Sequence, residues 1–545
     1  DDNSQYVAAA NIVPNTLTGN QMTVSGAQIT VERTTPPSNT NVVKGASSVE
    51  ALGVLMTAGT ADDLKVTSLK LRVYASSTDI TGTCLSSGCN TAGNTAVNTV
   101  AIYEEGGTTP LATKNLSDLS GTVGAGGYYY VQYTGLNYKV PAGSPKKLIV
   151  KLGLKESISA ETWVMVDLDP DDDMDVETFA DGKSVTENST ALINTSSPVD
   201  VDIATAGTIT VAVDGTTPTA DVVLSGSLNK TISIYKFTPT KESFTLTGAI
   251  VTASTGDADN ISKVMVTYKN EAGVTVTKDC FLNASGECTF NDGQLDAYFP
   301  VNQTTLLTIS ANFATIDGGA DSGDTVQLGL KKAATQFGAS ANLTNDFILL
   351  GKSSNTKLYG VTNSIALVDS SIANQTVRKT KVTVAESDSS GTSHTSKAQD
   401  PVGVFTFTSE PELNNSQNST LSSVTLQLSG SLIAAAAAGQ NDTVTVYAYN
   451  GNSFDSGHLM GSADITGLGT SSSTALTLTL SSYNEWNGIK QVYFVVDTTD
   501  ADFSDAAATT EKLTLTLSNF GWGDGSATAI NPVSGVPVYG DTYSY

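Results

Sequence analysis

Val66-x-x-Leu69-x-Leu71-x-Val73, Leu246-x-x-Ala249-x-Val251-x-Ala253 and Leu421-x-x-Val424-x-Leu426-x-Leu428 are one pattern written three times along a chain of 545 residues. In each copy the apolar residues alternate with polar ones, as a half-buried strand requires. The three-residue step shifts the parity and predicts a bulge or a change of strand. About 37 to 39 residues upstream of each copy comes a short strand: Ile29-Thr30-Val31, Ile209-Thr210-Val211 and Val382-Thr383-Val384. Between them lies another, at Leu52 to Met56, Ile234 to Phe237 and Val402 to Phe407, and downstream follow Val100 to Tyr103, Val264 to Tyr268 and Val444 to Tyr449. Order and spacing are kept, which is the mark of tandem repetition.

The late part repeats as well. Val140-Pro141 precedes Leu148 to Val150, Phe299-Pro300 precedes Leu306 to Ile309, and Val492 to Val496 stands there in the third copy without the proline. Leu358-Tyr359-Gly360 matches Val538-Tyr539-Gly540. Each unit holds roughly seven to nine short strands separated by Gly, Asn, Asp and Ser turns, which fits an immunoglobulin-like sandwich. The fold expected is all-β: three tandem immunoglobulin-like β-sandwich domains at 27–203, 204–366 and 367–545. A strand-like arm at 1–26 precedes them, in which Ile12, Val13, Met22 and Val24 are the expected subunit contacts. Helical periodicity is absent; Leu432 to Ala438 amounts to about two turns at most.

Composition supports strands and turns. Charged residues are only 15% of the chain, and Thr, Ser, Gly, Ala and Val dominate. The net charge is −26, and the only arginines are Arg33, Arg72 and Arg378, so no face can neutralise a run of phosphates and nucleic acid is excluded as a partner. No apolar run approaches the roughly 20 residues that span a bilayer, so membrane insertion is not expected. Asp1-Asp2-Asn3 reads as the start of a processed, secreted chain.

The four cysteines form two close pairs, Cys84 with Cys89 and Cys280 with Cys288. Disulfides are favoured over free thiols, and they imply an oxidising compartment. The second pair suits a hairpin in which the Asn283 to Gly286 turn brings the cysteines onto facing strands. Zinc would need further ligands, and His394 and His458 lie far away in Ser/Gly-rich loops.

The densest acidic run is Asp167-Leu168-Asp169-Pro170-Asp171-Asp172-Asp173-Met174-Asp175-Val176-Glu177. Asp167, Asp169, Asp171, Asp173, Asp175 and Glu177 are candidate calcium ligands, because calcium takes six to eight oxygens and alternating carboxylates supply several. The run lacks the central Gly and the terminal Glu of an EF-hand, and a solvated acidic loop is the alternative. Two later loops, with Asp317, Asp321 and Asp324 and with Asp497, Asp500 and Asp502, are weaker candidates, since Asp is also an ordinary turn residue. No G-x-S-x-G elbow occurs and neither histidine has a promising context, so the chain is not expected to be an enzyme. Tyr128-Tyr129-Tyr130 is a candidate sugar-stacking or subunit-contact patch, set against a strand that is half core and half surface. Sequons such as Asn115, Asn188 and Asn229 are as frequent as chance allows.

The phrases Leu55-Met56-Thr57-Ala58-Gly59-Thr60-Ala61-Asp62-Asp63-Leu64-Lys65-Val66-Thr67-Ser68-Leu69 and Val538-Tyr539-Gly540-Asp541-Thr542 resemble bacterial surface-layer-type proteins with Thr-rich β-repeats. The resemblance implies a structural role at a cell surface, often with calcium and without a catalytic site. The expected function is a self-associating structural subunit of an extracellular filament or surface layer. An adhesin binding glycan or protein through its end loops is the rival.

Overall fold

A computed structural model of the chain describes residues 26–77, 80, 96–115, 128–160, 162–187, 191–195, 197–253, 258–331, 347–359, 366–368, 372–387, 393–395, 397–413, 415–430, 444–465, 473–498, 512–526, 530–532 and 534–545. Nearly every regular element is a strand. The residues proposed for the N-terminal contact, Ile12, Val13, Met22 and Val24, lie outside the described residues, as does the Leu432 to Ala438 stretch.

The repeated pattern builds the same sheet three times. In the first copy, Ile29–Arg33 pairs antiparallel with Val49–Ala58, which pairs with Pro145–Leu154, which pairs with Val97–Glu104. In the second the same order runs Thr208–Val213, Lys230–Thr240, Thr305–Phe313 and Ile261–Lys269. In the third it runs Thr380–Glu386, Asp400–Pro411, Gly488–Val496 and Val444–Asn450. The strand carrying the opening pattern belongs to the opposing sheet each time, as Leu64–Ser76, Phe244–Ala253 and Ser419–Ser429.

The three-residue step is a bulge in all three copies. Register slips between Val66 and Ser68, between Leu246 and Gly248, and between Leu421 and Ser423. The extra residue restores inward parity, so Leu69, Leu71 and Val73 remain buried beyond it. Those side chains share a core with Leu52, Val54, Val100 and Val150 of the facing sheet. In the third copy Phe405, Phe407 and Phe494 meet Leu426, Leu515 and Trp522 in the same way. In the second, Phe237 stacks on Phe299 across the sheets with ring centroids 4.1 Å apart. Each large side chain buried here stabilises by about 1.5–3 kcal/mol.

The chain divides into two compact units, 1–207 with 353–355, and 208–352 with 356–545. The second unit contains both later copies. Strand Gln375–Arg378 pairs parallel with Asp221–Leu224 and antiparallel with Thr325–Val326, so it closes the second copy and does not open the third. The third copy starts at Thr380, leaving Lys379 as the whole connection. In the first unit the strand Asp200–Ala204 does the same work, pairing parallel with Thr40–Val43 and antiparallel with Thr162–Asp167. No helix among the described residues is long and apolar enough to cross a membrane, which says nothing of a β-barrel.

Candidate functional site

The acidic run folds around an arginine. Lys70 and Arg72 alternate with the buried Leu71 and Val73, so they leave the strand on its outer face. Pro170–Asp173 makes one helical turn above that face, and Asp173 offers its two oxygens to Arg72 Nε at 2.5 Å and Lys70 Nζ at 2.6 Å. Asp169 and Asp172 reach Arg72 Nη2 at 3.1 and 3.6 Å, and the Tyr128 ring lies 4.5 Å from the guanidinium carbon. Burial alone would lower the Arg72 pKa, but the hydrogen bond and charge of Asp173 outweigh it and hold the group firmly protonated. The run then becomes the strand Met174–Thr178, whose alternation buries Met174 and Val176 and turns Asp175 and Glu177 outward. Glu177 pairs with Lys65 at 3.1 Å.

Asp167 points the other way. It is fully buried, and its Oδ1 accepts from the backbone N–H groups of Leu168 and Asn194 at 2.8 and 2.9 Å. Its Oδ2 has no hydrogen-bond partner among the described residues. Burial pushes its carboxyl up to about 7. The six candidate calcium ligands therefore do not converge. Two of them serve Arg72, one serves Lys65, one is interior, and Asp171 and Asp175 are exposed. Among the described residues no group of three or more His, Cys, Asp or Glu is arranged to hold a metal ion. The donor set fits guanidinium and ammonium groups. Reading the run as one loop concealed this, because Arg72 comes from a strand about 100 residues earlier.

A second set of carboxylates clamps the two copies of the second unit together. Asp221 accepts from Lys381 Nζ at 2.6 Å and from Ser534 Oγ at 3.0 Å. Asp524, fully buried, accepts from Ser322 Oγ and from the Lys379 backbone N–H at 3.2 Å. Glu412, also buried, accepts from the Ile316 N–H at 2.9 Å, while its own N–H donates to the Lys379 carbonyl. Val222 of the second copy lies in the core of the third. Burial would raise the Asp221 and Asp524 carboxyls. Lys381 at the one, and Ser322 and Ser526 at the other, hold them below the ordinary carboxylate value.

The weaker acidic candidates divide. Asp324 accepts from Asn260 Nδ2 at 3.1 Å, the Asp321 N–H donates to Asn260 Oδ1 at 2.9 Å, and Asp317 sits in a single 3-10 turn capped by Thr315. These residues shape the loop that presents Ser322 to Asp524. Asp497 follows the Gly488–Val496 strand, and Asp500 and Asp502 lie outside the described residues. Cys84 and Cys89 also lie outside them. Cys280 and Cys288 are disulfide-bonded, with Cα atoms 5.8 Å apart. The hairpin expectation is corrected, because Cys280 pairs with Val264 in one sheet and Cys288 with Val251 in the other. The bond staples the two layers of the sandwich.

Sequence reading missed one further cluster. His394 Nδ1 lies 3.0 Å from Oδ1 of the buried Asp400, and Tyr545 Oη donates to Oδ2 at 2.6 Å. The His394 N–H donates to the Ser544 carbonyl, so the group fastens the strand Val538–Ser544. Only pairing in space brings positions 394, 400 and 545 together.

No protein-family model matches the sequence, and no curated protein is similar to it. Among solved structures the chain is similar to the C-terminal domain of the Streptococcus pyogenes antigen I/II-family protein AspA, at 8% identity, covering 64% of this chain and 99% of that one, with a TM-score of 0.19. It is also similar to the C-terminal domain of the Streptococcus agalactiae antigen I/II polypeptide BspA, at 10% identity, 61% and 97% coverage and a TM-score of 0.18. BcpA, the major pilin subunit of Bacillus cereus, follows at 11% identity, 64% and 70% coverage and 0.16. Likeness at these scores does not extend to function.

Proposed function

We propose that this chain is a structural subunit of an extracellular filament or surface layer, with no catalytic role. The observation that carries the reading is the junction in the second unit. One sandwich ends in the strand Gln375–Arg378 and the next begins at Thr380, with the single residue between them gripped by Asp524 and Glu412. A chain built to present independent binding modules has more use for linkers; a chain built to hold shape suppresses them. The disulfide Cys280–Cys288 supports an oxidising, extracellular setting. In this reading copies of the chain join through residues 1–26 by adding a strand to a sheet edge. Calcium is part of the proposal at contacts between chains, not at the acidic run, whose carboxylates pair with Arg72, Lys70 and Lys65.

Electron microscopy of the purified chain, with calcium and then with a chelator, tests it. Ordered filaments or sheets are expected, lost when residues 1–26 are deleted. Dispersed particles under both conditions would overturn the assembly reading and favour the adhesin.

A further inference from the structure

One face of the second copy carries a groove of about 600 Å3. Two turns wall it. In one, the Gly273 N–H donates to the Asn270 carbonyl, with Gly273 at a φ of +76°; in the other, the Gln303 N–H donates to the Pro300 carbonyl. Strand register lays Thr267 and Thr308 side by side on neighbouring strands beneath, and both line the groove. Tyr298 is the outward residue of the short strand Ala297–Phe299, between two buried neighbours, and its half-buried ring lines the groove. The one carboxylate of the lining, Glu271, is already paired with Lys352 at 2.8 Å. In a chain with 54 Asp and Glu residues, that leaves this groove without a free carboxylate, and Lys269 is the one cation of its lining.

We infer that the groove binds a neutral, extended oligosaccharide. Sugar hydroxyls need partners that both donate and accept, and threonine hydroxyls do both. The apolar face of a sugar ring stacks on an aromatic side chain, which Tyr298 provides. Hydroxyls on neighbouring strands recur every 4.8 Å or so, close to the repeat of one ring along a β-linked chain. The volume falls within the range of small-ligand sites. The net charge of −26 disfavours an acidic glycan.

This inference stands apart from the assembly reading, since microscopy reports assembly and calorimetry reports the groove. Titration of the full chain with cellohexaose and with hexa-N-acetylchitohexaose is expected to give saturable binding to at least one. Tyr298→Ala is expected to weaken it about tenfold, and Thr267→Val with Thr308→Val several-fold. Valine favours strands, so an unchanged unfolding midpoint checks that the double variant is folded. Absence of saturable binding to both sugars, or binding unmoved by Tyr298→Ala, would overturn the proposal. Equal binding of an oligogalacturonate would overturn its neutral character.

Discussion

Two groups of carboxylates, alike on paper, are solved in opposite ways. In the first unit Asp169, Asp172 and Asp173 gather around Arg72, with Lys70 sharing Asp173. In the second unit Asp524 and Glu412 accept from hydroxyl and backbone N–H groups, and Asp221 meets Lys381. A buried charge needs partners, but these need not be charges. Where the partner is a cation, one residue carries the cluster. Where the partners are many neutral donors, the load is spread across two sandwiches.

That contrast predicts a ranking of effects. Arg72→Met leaves the buried Asp173 with Lys70 as its one cation and is expected to cost about 3 kcal/mol. Hydrogen exchange on the full chain should show faster exchange in 64–76 and 162–178 and none of it in the second unit. A loss under about 1 kcal/mol would mean the acidic run is merely solvated. Replacing Cys280 and Cys288 by serine frees one sandwich layer from the other, at about 2–3 kcal/mol read from the denaturant midpoint of the second unit. Asp524→Ala removes an acceptor from Ser322 and Lys379, and about 1–3 kcal/mol is expected. The exchange should rise at 316–324 and 375–380 together. Lys381→Met is expected to cost less than about 1 kcal/mol, because that pair is partly exposed.

The same contrast has a pH signature, with opposite signs. The Asp167 carboxyl is raised from 3.8 to about 7, so its contribution is fully present below about 3.8 and is lost as pH rises through 7. The Asp221 and Asp524 carboxyls are lowered, so theirs is present above 3.8 and is lost as pH falls below it. Acidifying from pH 8 to 5 is expected to stabilise the first unit and leave the second unchanged. Going on to pH 3 is expected to loosen the second. Asp167→Asn keeps an acceptor for Leu168 and Asn194 and should flatten the first response.

Sequence made the strands legible because alternation and parity are local. The step from Val66 to Leu69 could be read as a bulge without knowing what lay opposite. The strand Gln375–Arg378 looks like any strand in sequence; only its pairing with Asp221–Leu224 shows which strands it joins. The acidic run was misread as a single loop for a related reason. Its alternation of Met174, Asp175, Val176 and Glu177 already spelled a strand, which divides carboxylates between two faces. Arg72 and Tyr545 carried no local signal, since their partners Asp173 and Asp400 lie 101 and 145 residues away.

The parallel pairing of Gln375–Arg378 with Asp221–Leu224 has a mechanical consequence. Tension applied to the two ends of that copy pulls its first strands one way and its last strand the other, along the strand axes. Hydrogen bonds between parallel strands drawn apart in that sense are loaded together, in shear, and must yield together. The Asp200–Ala204 and Thr40–Val43 pair repeats the geometry within the first unit. In single-molecule pulling, both should give way at forces well above those that unzip an antiparallel hairpin one bond at a time.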